Sequence, residues 1–159
     1  MSAARWAVIP ASILAWLFSW YWIRGVRQEY AGGDIGPMPP WLILLFGAAV
    51  LATSGCALAA WMRIPAWRVL ALVSAAALIA VVLGGQYAAM SSYVETLHSE
   101  GAGVRPVGLG DALRAVQGRG GLELALVAGI PALLVLGGLM GWLSPEAPRA
   151  ARPEGGGAA

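Results

Sequence analysis

The chain is poor in charge: only 11% of its 159 residues are charged, and all ten basic residues are arginine. Soluble domains carry about 25% charged residues. The arginines are scattered along the sequence. That spacing argues against nucleic-acid binding, which needs a basic patch or stripe, and it gives no sign of a lipid-headgroup site made of clustered arginines.

Potential metal and redox ligands are equally scarce, because the chain has one cysteine and one histidine. Cys56 cannot form an internal disulfide and is predicted to be a small packing residue. His98 lies in a polar stretch and is predicted to be solvated. A single loop histidine cannot supply a bis-histidine haem site, and a zinc site needs about three protein ligands. We therefore expect no cofactor and no metal.

Four long apolar runs dominate what is present, at residues 6–23, 41–62, 69–90 and 122–143. About 20 apolar residues in a helix cross a hydrocarbon core of ~30 Å. The sequence therefore predicts an all-α integral membrane protein, a four-helix transmembrane bundle that forms one domain over residues 1–145 and contacts membrane lipids. Residues 146–159 are rich in Gly, Ala, Pro and Arg and are predicted to be disordered.

The connections between the runs differ in length. Residues 24–40 contain helix-breaking Gly and Pro residues, which predict an extended first loop. Residues 63–68 form a short second connection, so the second and third spans should make a tight hairpin. The third loop, residues 91–121, is long and polar, and it includes a predicted short amphipathic helix that Asp111 would cap and that would reach Val116.

Aromatic and basic residues near the span ends bear on anchoring and orientation. The following aromatic residues are predicted to lie at the membrane interfaces: Trp6, Trp20, Tyr21, Trp22, Trp41, Trp61, Trp67, Tyr87 and Trp142. Each side of the membrane receives five arginines. Two of those on the side of the termini lie in the shortest loop, where the positive-inside rule works best, and this favours both termini in the cytoplasm.

Small residues recur along the spans and indicate close helix packing. Gly129, Gly137 and Gly141 lie on roughly one face of the fourth span. They can serve packing within this bundle or docking against another subunit, and the sequence favours neither. Gln86 and Tyr87 end the third span, where a polar pair can anchor the helix or contact a partner. These five residues are the candidate packing or partner-contact residues, and Gly137→Leu is expected to weaken partner binding.

Three segments resemble subunit III of the haem-copper oxidases, a family that includes related nitric-oxide-reductase accessory proteins. Residues 129–139 read Gly-Ile-Pro-Ala-Leu-Leu-Val-Leu-Gly-Gly-Leu, where the family often has Gly-Leu-His-Gly-Leu-His-Val-Leu-Gly-Gly-Leu. Residues 83–87, Leu-Gly-Gly-Gln-Tyr, resemble its Gln-containing helix end. Residues 38–41, Met-Pro-Pro-Trp, resemble its Pro-initiated helix. Pro131 and Leu134 stand where the family has histidines, and the family's buried Glu in the first span is absent.

The resemblance implies a subunit that carries no redox metal, binds lipid and supports a catalytic partner. The first hypothesis is accordingly a non-catalytic accessory subunit in a bacterial-type plasma (inner) membrane, with other membrane subunits as partners and no nucleic acid. The second is a small oligomeric membrane transporter. Its available mid-membrane polar groups are Ser12, Thr53, Ser54 and Ser74. The third is a membrane enzyme, for which Glu95, His98 and Glu100 form the one polar cluster.

Overall fold

The computed structural model describes residues 3–32, 37–101 and 103–143, which form five α-helices. They are α1 (Ala3–Ala31), α2 (Pro40–Trp61), α3 (Trp67–Ser99), α4 (Leu109–Gln117) and α5 (Gly121–Leu143). All but α4 are long and apolar enough to cross a membrane, which confirms the prediction of an all-α four-helix transmembrane bundle with a short helix in the third loop. The predicted disordered tail, residues 146–159, lies outside the described residues.

Two of the spanning helices are longer than the sequence predicted. α1 has 29 residues and α3 has 33, which correspond to about 44 and 50 Å of helix. The predictions that α1 gives way to loop near residue 24 and α3 near residue 91 are wrong. Polar residues end the apolar run but do not break a helix, because Arg, Gln and Glu are good helix formers. α3 ends only near Gly101, whose φ of +86° suits a helix terminus.

The helices alternate in direction, which gives the bundle two ends. α1 and α3 contact each other and both pack against α2 and α5, so α2 and α5 lie on opposite sides of the α1–α3 pair. The end that holds the α2–α3 turn is called the hairpin end. The opposite end is called the loop end, and it holds the last turns of α1 and α3 together with α4, which packs on α3.

The α2–α3 turn closes by a Schellman motif. The Ile64 amide donates to the Ala59 carbonyl at 2.9 Å, and the Arg63 amide donates to the Ala60 carbonyl at 3.4 Å. Arg63 therefore occupies the left-handed position of the motif, with φ of +62°, where glycine is the usual residue. The turn confirms the tight hairpin that the short connection predicted.

The bundle interior is built from small and medium-sized side chains, and the exterior is apolar. Leu42, Phe46 and Leu78 are among the largest fully buried side chains. Between 33% and 39% of the residues in each apolar stretch are buried, and every span also has exposed large apolar side chains, such as Leu17, Leu44, Val73 and Leu136. Apolar residues both inside the bundle and on its outer surface are expected of helices that lie in lipid.

Two of the predicted interfacial tryptophans belong to the interior instead. Trp22 is 3% exposed and Trp67 is 2% exposed, whereas Trp20 is 51% exposed. Each buried ring lies against a glycine: a Cβ at Gly85 would approach Trp22 Nε1 to 3.1 Å, and a Cβ at Gly141 would collide with the Trp67 ring. The missing glycine side chains leave room for the indole rings within the bundle, so these two tryptophans pack between helices, whereas Trp20 faces outward.

The short helix α4 confirms the amphipathic helix expected in the third loop, with Ala112 and Val116 buried. Its predicted cap is wrong. Gly108 is the N-cap residue, and Asp111 lies three positions later, where its Oδ2 accepts a hydrogen bond from the Gly108 amide at 2.9 Å. A carboxylate at this position favours the helix in the same way as the acidic member of a capping box.

Candidate functional site

The largest group of interacting polar side chains in the described residues lies at the loop end. This loop-end network consists of Tyr21, Trp22, Glu29, Gln86, Arg119 and Glu123. Its centre is Arg119, which lies in the short connection between α4 and α5. The turn places the guanidinium between the last part of α1, the glycine-rich part of α3 and the first turn of α5.

Arg119 makes four kinds of contact. Its Nη2 donates a hydrogen bond of 2.7 Å to Gln86 Oε1. The guanidinium lies 4.7 Å from the centre of the Trp22 ring, and its nitrogens lie 3.5 Å from Glu123 and 3.8 Å from Glu29. A charge-assisted hydrogen bond is stronger than a neutral one, so the Gln86 contact is the strongest element of the network.

Glu123 connects this network to the surface of α1. Its Oε1 accepts a hydrogen bond of 3.0 Å from the Tyr21 hydroxyl. Glu123 also lies in the first turn of α5, where a carboxylate interacts favourably with the positive end of the helix dipole. A cavity of about 300 Å³ adjoins the network and is lined in part by Trp22, Glu29 and Arg119. The two carboxylates compensate the guanidinium, which makes the network suited to fixing α1, α3 and α5 together.

A second polar region follows the part of α3 that extends past the apolar run. Tyr87, Ser91 and Glu95 each line two adjacent cavities, of about 630 and 360 Å³. Tyr87 is 37% exposed. His98 lines the smaller cavity together with Glu95, one helical turn away. The sequence analysis assigned the residues after position 90 to a loop. Because α3 continues through them as a helix, these side chains lie on one face.

The enzyme hypothesis rested on Glu95, His98 and Glu100. The structure brings Glu95 and His98 to the same cavity, and Glu100 follows the end of α3 outside its lining. His98 Nδ1 lies 3.2 Å from the Val94 carbonyl oxygen of its own helix, and the His98 side chain is exposed. Among the described residues, no group of three or more His, Cys, Asp or Glu residues could hold a metal ion.

The three candidate glycines of α5 have different surroundings. A Cβ at Gly137 would collide with Val8 of α1, and one at Gly141 would collide with Trp67 of α3, so both glycines lie at contacts inside the bundle. Gly129 has open space where its side chain would be and is half-buried. The three do not share one contact surface, and only Gly129 faces outward.

The residues around Asp111 form a smaller charged group at the surface of the loop end. Arg105 Nη2 and Arg114 Nη2 both lie 2.7 Å from Asp111 Oδ1. The hydrogen bond from the Gly108 amide, followed by the nearby charges of Arg105 and Arg114, holds the pKa of the Asp111 carboxyl below its ordinary value. This group stabilises the start of α4, which covers part of α3.

Sequence reasoning found Gln86 but missed Arg119 and Trp22, which belong to the same loop-end network. Tyr87, which it paired with Gln86, lies in the second polar region instead. The i,i+4 spacing of Arg119 and Glu123 is visible in the sequence and is a known pairing distance on helices. The contact between Arg119 and Gln86 joins residues that are far apart in the chain, and no local pattern indicates it.

No family model matches the chain, and comparisons with curated proteins and with solved structures find no similar protein.

Proposed function

We propose that this chain is a non-catalytic accessory subunit that binds a transmembrane helix of a partner protein through the outward face of α5 around Gly129. The observation that carries the proposal is the position of Gly129, which has open space beyond its Cα. Ala125, Ala128 and Ala132 are exposed beside it, and their spacing of three and four residues places them on the same side of the helix.

Small residues favour helix association in membranes because they let two backbones approach closely, and lipid provides no hydrophobic driving force. The same chain already uses this device twice inside the bundle, at Gly137 and Gly141. The small patch at Gly129 is bordered by the exposed Leu133 and Leu136, whose side chains can flank an incoming helix. The patch therefore has the form of a helix-packing surface whose partner lies outside the chain.

The composition of the loop-end network favours a structural role for this chain over a catalytic one. Arg119 is compensated by Glu29 and Glu123 and hydrogen-bonded to Gln86, which fits a structural anchor for α5. Anchoring the first turn of α5 also fixes the orientation of the nearby Gly129 patch.

The partner that we favour is the catalytic subunit of a haem-copper oxidase in a bacterial-type plasma membrane. The support is the resemblance of residues 129–139 to subunit III of that family, since this segment begins at Gly129. Pro131 and Leu134, which replace the family's histidines, are buried in the bundle and leave the outward face to small and aliphatic residues.

The test is a pull-down of the tagged full chain in a gentle detergent, followed by haem absorbance and mass spectrometry of the eluate. Gly129→Leu is compared with Gly47→Leu, which makes the same change at a glycine of α2 that also has open space around it. Because α2 and α5 lie on opposite sides of the bundle, the two variants probe different faces.

We expect wild-type chain and Gly47→Leu to retain the partner, and Gly129→Leu to lose most of it while keeping its own thermal stability. Haem in the eluate identifies an oxidase partner, whereas recovery of further copies of this chain alone identifies self-association. Retention of the partner by Gly129→Leu at the wild-type level contradicts the assignment of the α5 face.

A second candidate function, a small oligomeric transporter, is favoured by one observation at the centre of the bundle. The hydroxyls of Ser12 and Ser74 lie beside the Cys56 thiol, and neither hydroxyl oxygen has a hydrogen-bond partner of good geometry. Thr53 and Ser54, which the transporter hypothesis also named, donate instead to carbonyls of their own helix. A transport path through this point requires water to reach Cys56.

Cys56 is fully buried and is the chain's only cysteine, so thiol labelling separates the two functions. An accessory subunit should leave Cys56 unreactive towards a water-soluble maleimide until the protein is denatured. Labelling of the folded chain in vesicles at a rate close to that of the denatured chain supports the transporter.

Both termini in the cytoplasm remains our proposal for orientation. The short hairpin connection with its arginines at the same end as the termini supports it. An alkaline phosphatase domain fused after residue 159 should be inactive in this orientation, and its activity would reverse the assignment.

A further inference from the structure

The hairpin end contains a buried cation that has no hydrogen-bond partner among the described residues. Arg5 is 3% exposed, and its Nε and Nη1 atoms are buried without a hydrogen-bond partner among the described residues. Arginine stays charged in proteins, so burial must be offset by an anion or by hydrogen bonds. The guanidinium lies 5.7 Å from the centre of the Trp6 ring, within reach of a cation–π contact, but such a contact offsets only part of the cost of burying a charge.

Arg5 borders a cavity of about 270 Å³ between α1 and α2. Its lining residues are Arg5, Trp6, Ile9, Ala60, Trp61 and Arg63. The cavity thus combines two guanidinium groups with two tryptophans and an apolar floor. Arg5 and Arg63 are far apart in the sequence, so the scattered spacing of the arginines concealed this pair.

Arg63 is held in a conformation that arginine disfavours. Its φ of +62° places it in the left-handed region, which is unfavourable for a residue with a Cβ and which glycine adopts freely. Glycine would close the same Schellman turn without that cost. Backbone strain of this kind is characteristic of residues whose side chain has a function, and the Arg63 side chain borders the cavity.

The charge around the cavity is one-sided in the part of the chain that the structure describes. Arg5, Arg63 and Arg68 lie at the hairpin end, and the Nε atom of Arg68 is also buried without a partner. The described carboxylates all belong to the loop end, and they are Glu29, Glu95, Glu100, Asp111 and Glu123. The compensating anion for Arg5 must therefore come from outside the described residues.

We propose that this cavity binds the phosphate group of an anionic phospholipid, with Arg5 as the buried donor and Arg63 at the rim. A guanidinium matches phosphate oxygens with two parallel N–H donors. Trp6 and Trp61 are 51% and 68% exposed, and such rings prefer the headgroup zone of the bilayer. The two exposed tryptophans thus place the cavity near the depth of lipid phosphates. This inference does not depend on the proposed partner of α5.

The test measures thermal unfolding of the full chain by tryptophan fluorescence after exchange into delipidating detergent. Phosphatidylglycerol is added back in one sample and phosphatidylcholine with the same acyl chains in another. At about 100 times the dissociation constant, the anionic lipid should raise the apparent Tm by about 5–10 °C over the zwitterionic lipid. A third sample contains phosphatidylcholine and inorganic phosphate, which separates a lipid headgroup from a free anion.

Two variants remove the two guanidinium groups. Arg5→Gln should lose most of the response to phosphatidylglycerol. Arg63→Gly should have a higher Tm than the wild type in phosphatidylcholine, because the strain is relieved, and a response to phosphatidylglycerol of less than half. If Arg5→Gln does not fold, Arg63→Gly decides the question by itself. The control is Arg27→Gln, which removes an exposed arginine at the loop end and should respond like the wild type.

Three results would overturn the proposal. One is an unchanged response to phosphatidylglycerol in the variants of the cavity. Another is a full response to inorganic phosphate, which would assign the site to a free anion. The third is the absence of a response to phosphatidylglycerol in the wild-type chain, together with a response in the double variant Glu146→Gln, Glu154→Gln. The carboxylates of the tail would then be the partners of Arg5.

Discussion

The contact between Gly141 and Trp67 gives the sharpest prediction for the stability of the bundle. A Cβ at Gly141 would collide with the far edge of the Trp67 ring, which is rigid and 2% exposed. Overpacking of this kind costs about 1–3 kcal/mol. Replacing a helical glycine by alanine otherwise favours the helix by about 1 kcal/mol. We therefore expect Gly141→Ala to lower the free energy of unfolding by up to about 2 kcal/mol.

Gly129→Ala is the matched control, because it makes the same change in the same helix at a position with open space. It should leave the free energy of unfolding unchanged or raise it by up to about 1 kcal/mol. Because the gain in helix propensity is common to both, the two variants should differ by the overpacking cost alone, roughly 1–3 kcal/mol. The assay is reversible unfolding by sodium dodecyl sulfate in mixed micelles, followed by circular dichroism.

A double-mutant cycle with Trp67→Phe tests whether the collision is the cause. The smaller ring should relieve Gly141→Ala, so the cost of the alanine should fall by about 1 kcal/mol in the Phe background. Equal stability of Gly141→Ala and Gly129→Ala would refute the packing argument, and so would a cost at Gly141 that is independent of residue 67.

The remaining predictions concern the loop end. Arg119→Met should lower the free energy of unfolding by about 1–2 kcal/mol, because it removes the charge-assisted hydrogen bond to Gln86. In the same unfolding assay, Arg114→Met, which removes an exposed ion pair, should change the free energy of unfolding by less than about 0.5 kcal/mol. Equal effects of the two variants would contradict the central role of Arg119. The pKa of Asp111 is lowered from 3.8 in the folded chain, so its ionised form favours folded α4 above about pH 4, and this contribution is lost as the pH falls through the folded pKa. The protection factors of the α4 amides, which are exchange rates corrected for their intrinsic pH dependence, should therefore fall below about pH 4 in the wild type, while Asp111→Asn should lack this added loss of protection; identical pH profiles of the protection factors would count against the Asp111 interactions.

The number and positions of the spans could be predicted from sequence because a bilayer imposes a length on every apolar helix. The helix ends could not, because α1 and α3 continue beyond the apolar runs into residues that form helices equally well in water. The segment 91–99 looked like loop on polarity alone. Its lack of Gly and Pro was the signal for a continuing helix.

Lateral packing could not be predicted either, since leucines line both the interior and the exterior of a membrane bundle. Trp20 and Trp22 differ by two positions in α1, yet one is exposed and the other is buried. Residues two positions apart on a helix point to nearly opposite sides, so only one of the two can face the interior. That Trp22 is the buried one depends on the space at Gly85 in α3, which the sequence of α1 does not reveal. The same limit applies to Gly129 and Gly137, which the sequence grouped and the fold separates.

The glycine pair of α3 has a mechanical consequence. Gly84 and Gly85 are adjacent in the longest helix of the described chain. They would be the point at which this helix bends most easily, because glycine restricts the backbone least. Trp41 packs against Gly84 and Trp22 packs against Gly85, so each glycine of the pair is supported by an indole ring from a neighbouring helix. α3 is therefore supported where it would bend most easily, and it connects α4, which packs on this helix, with Arg68 at its opposite end.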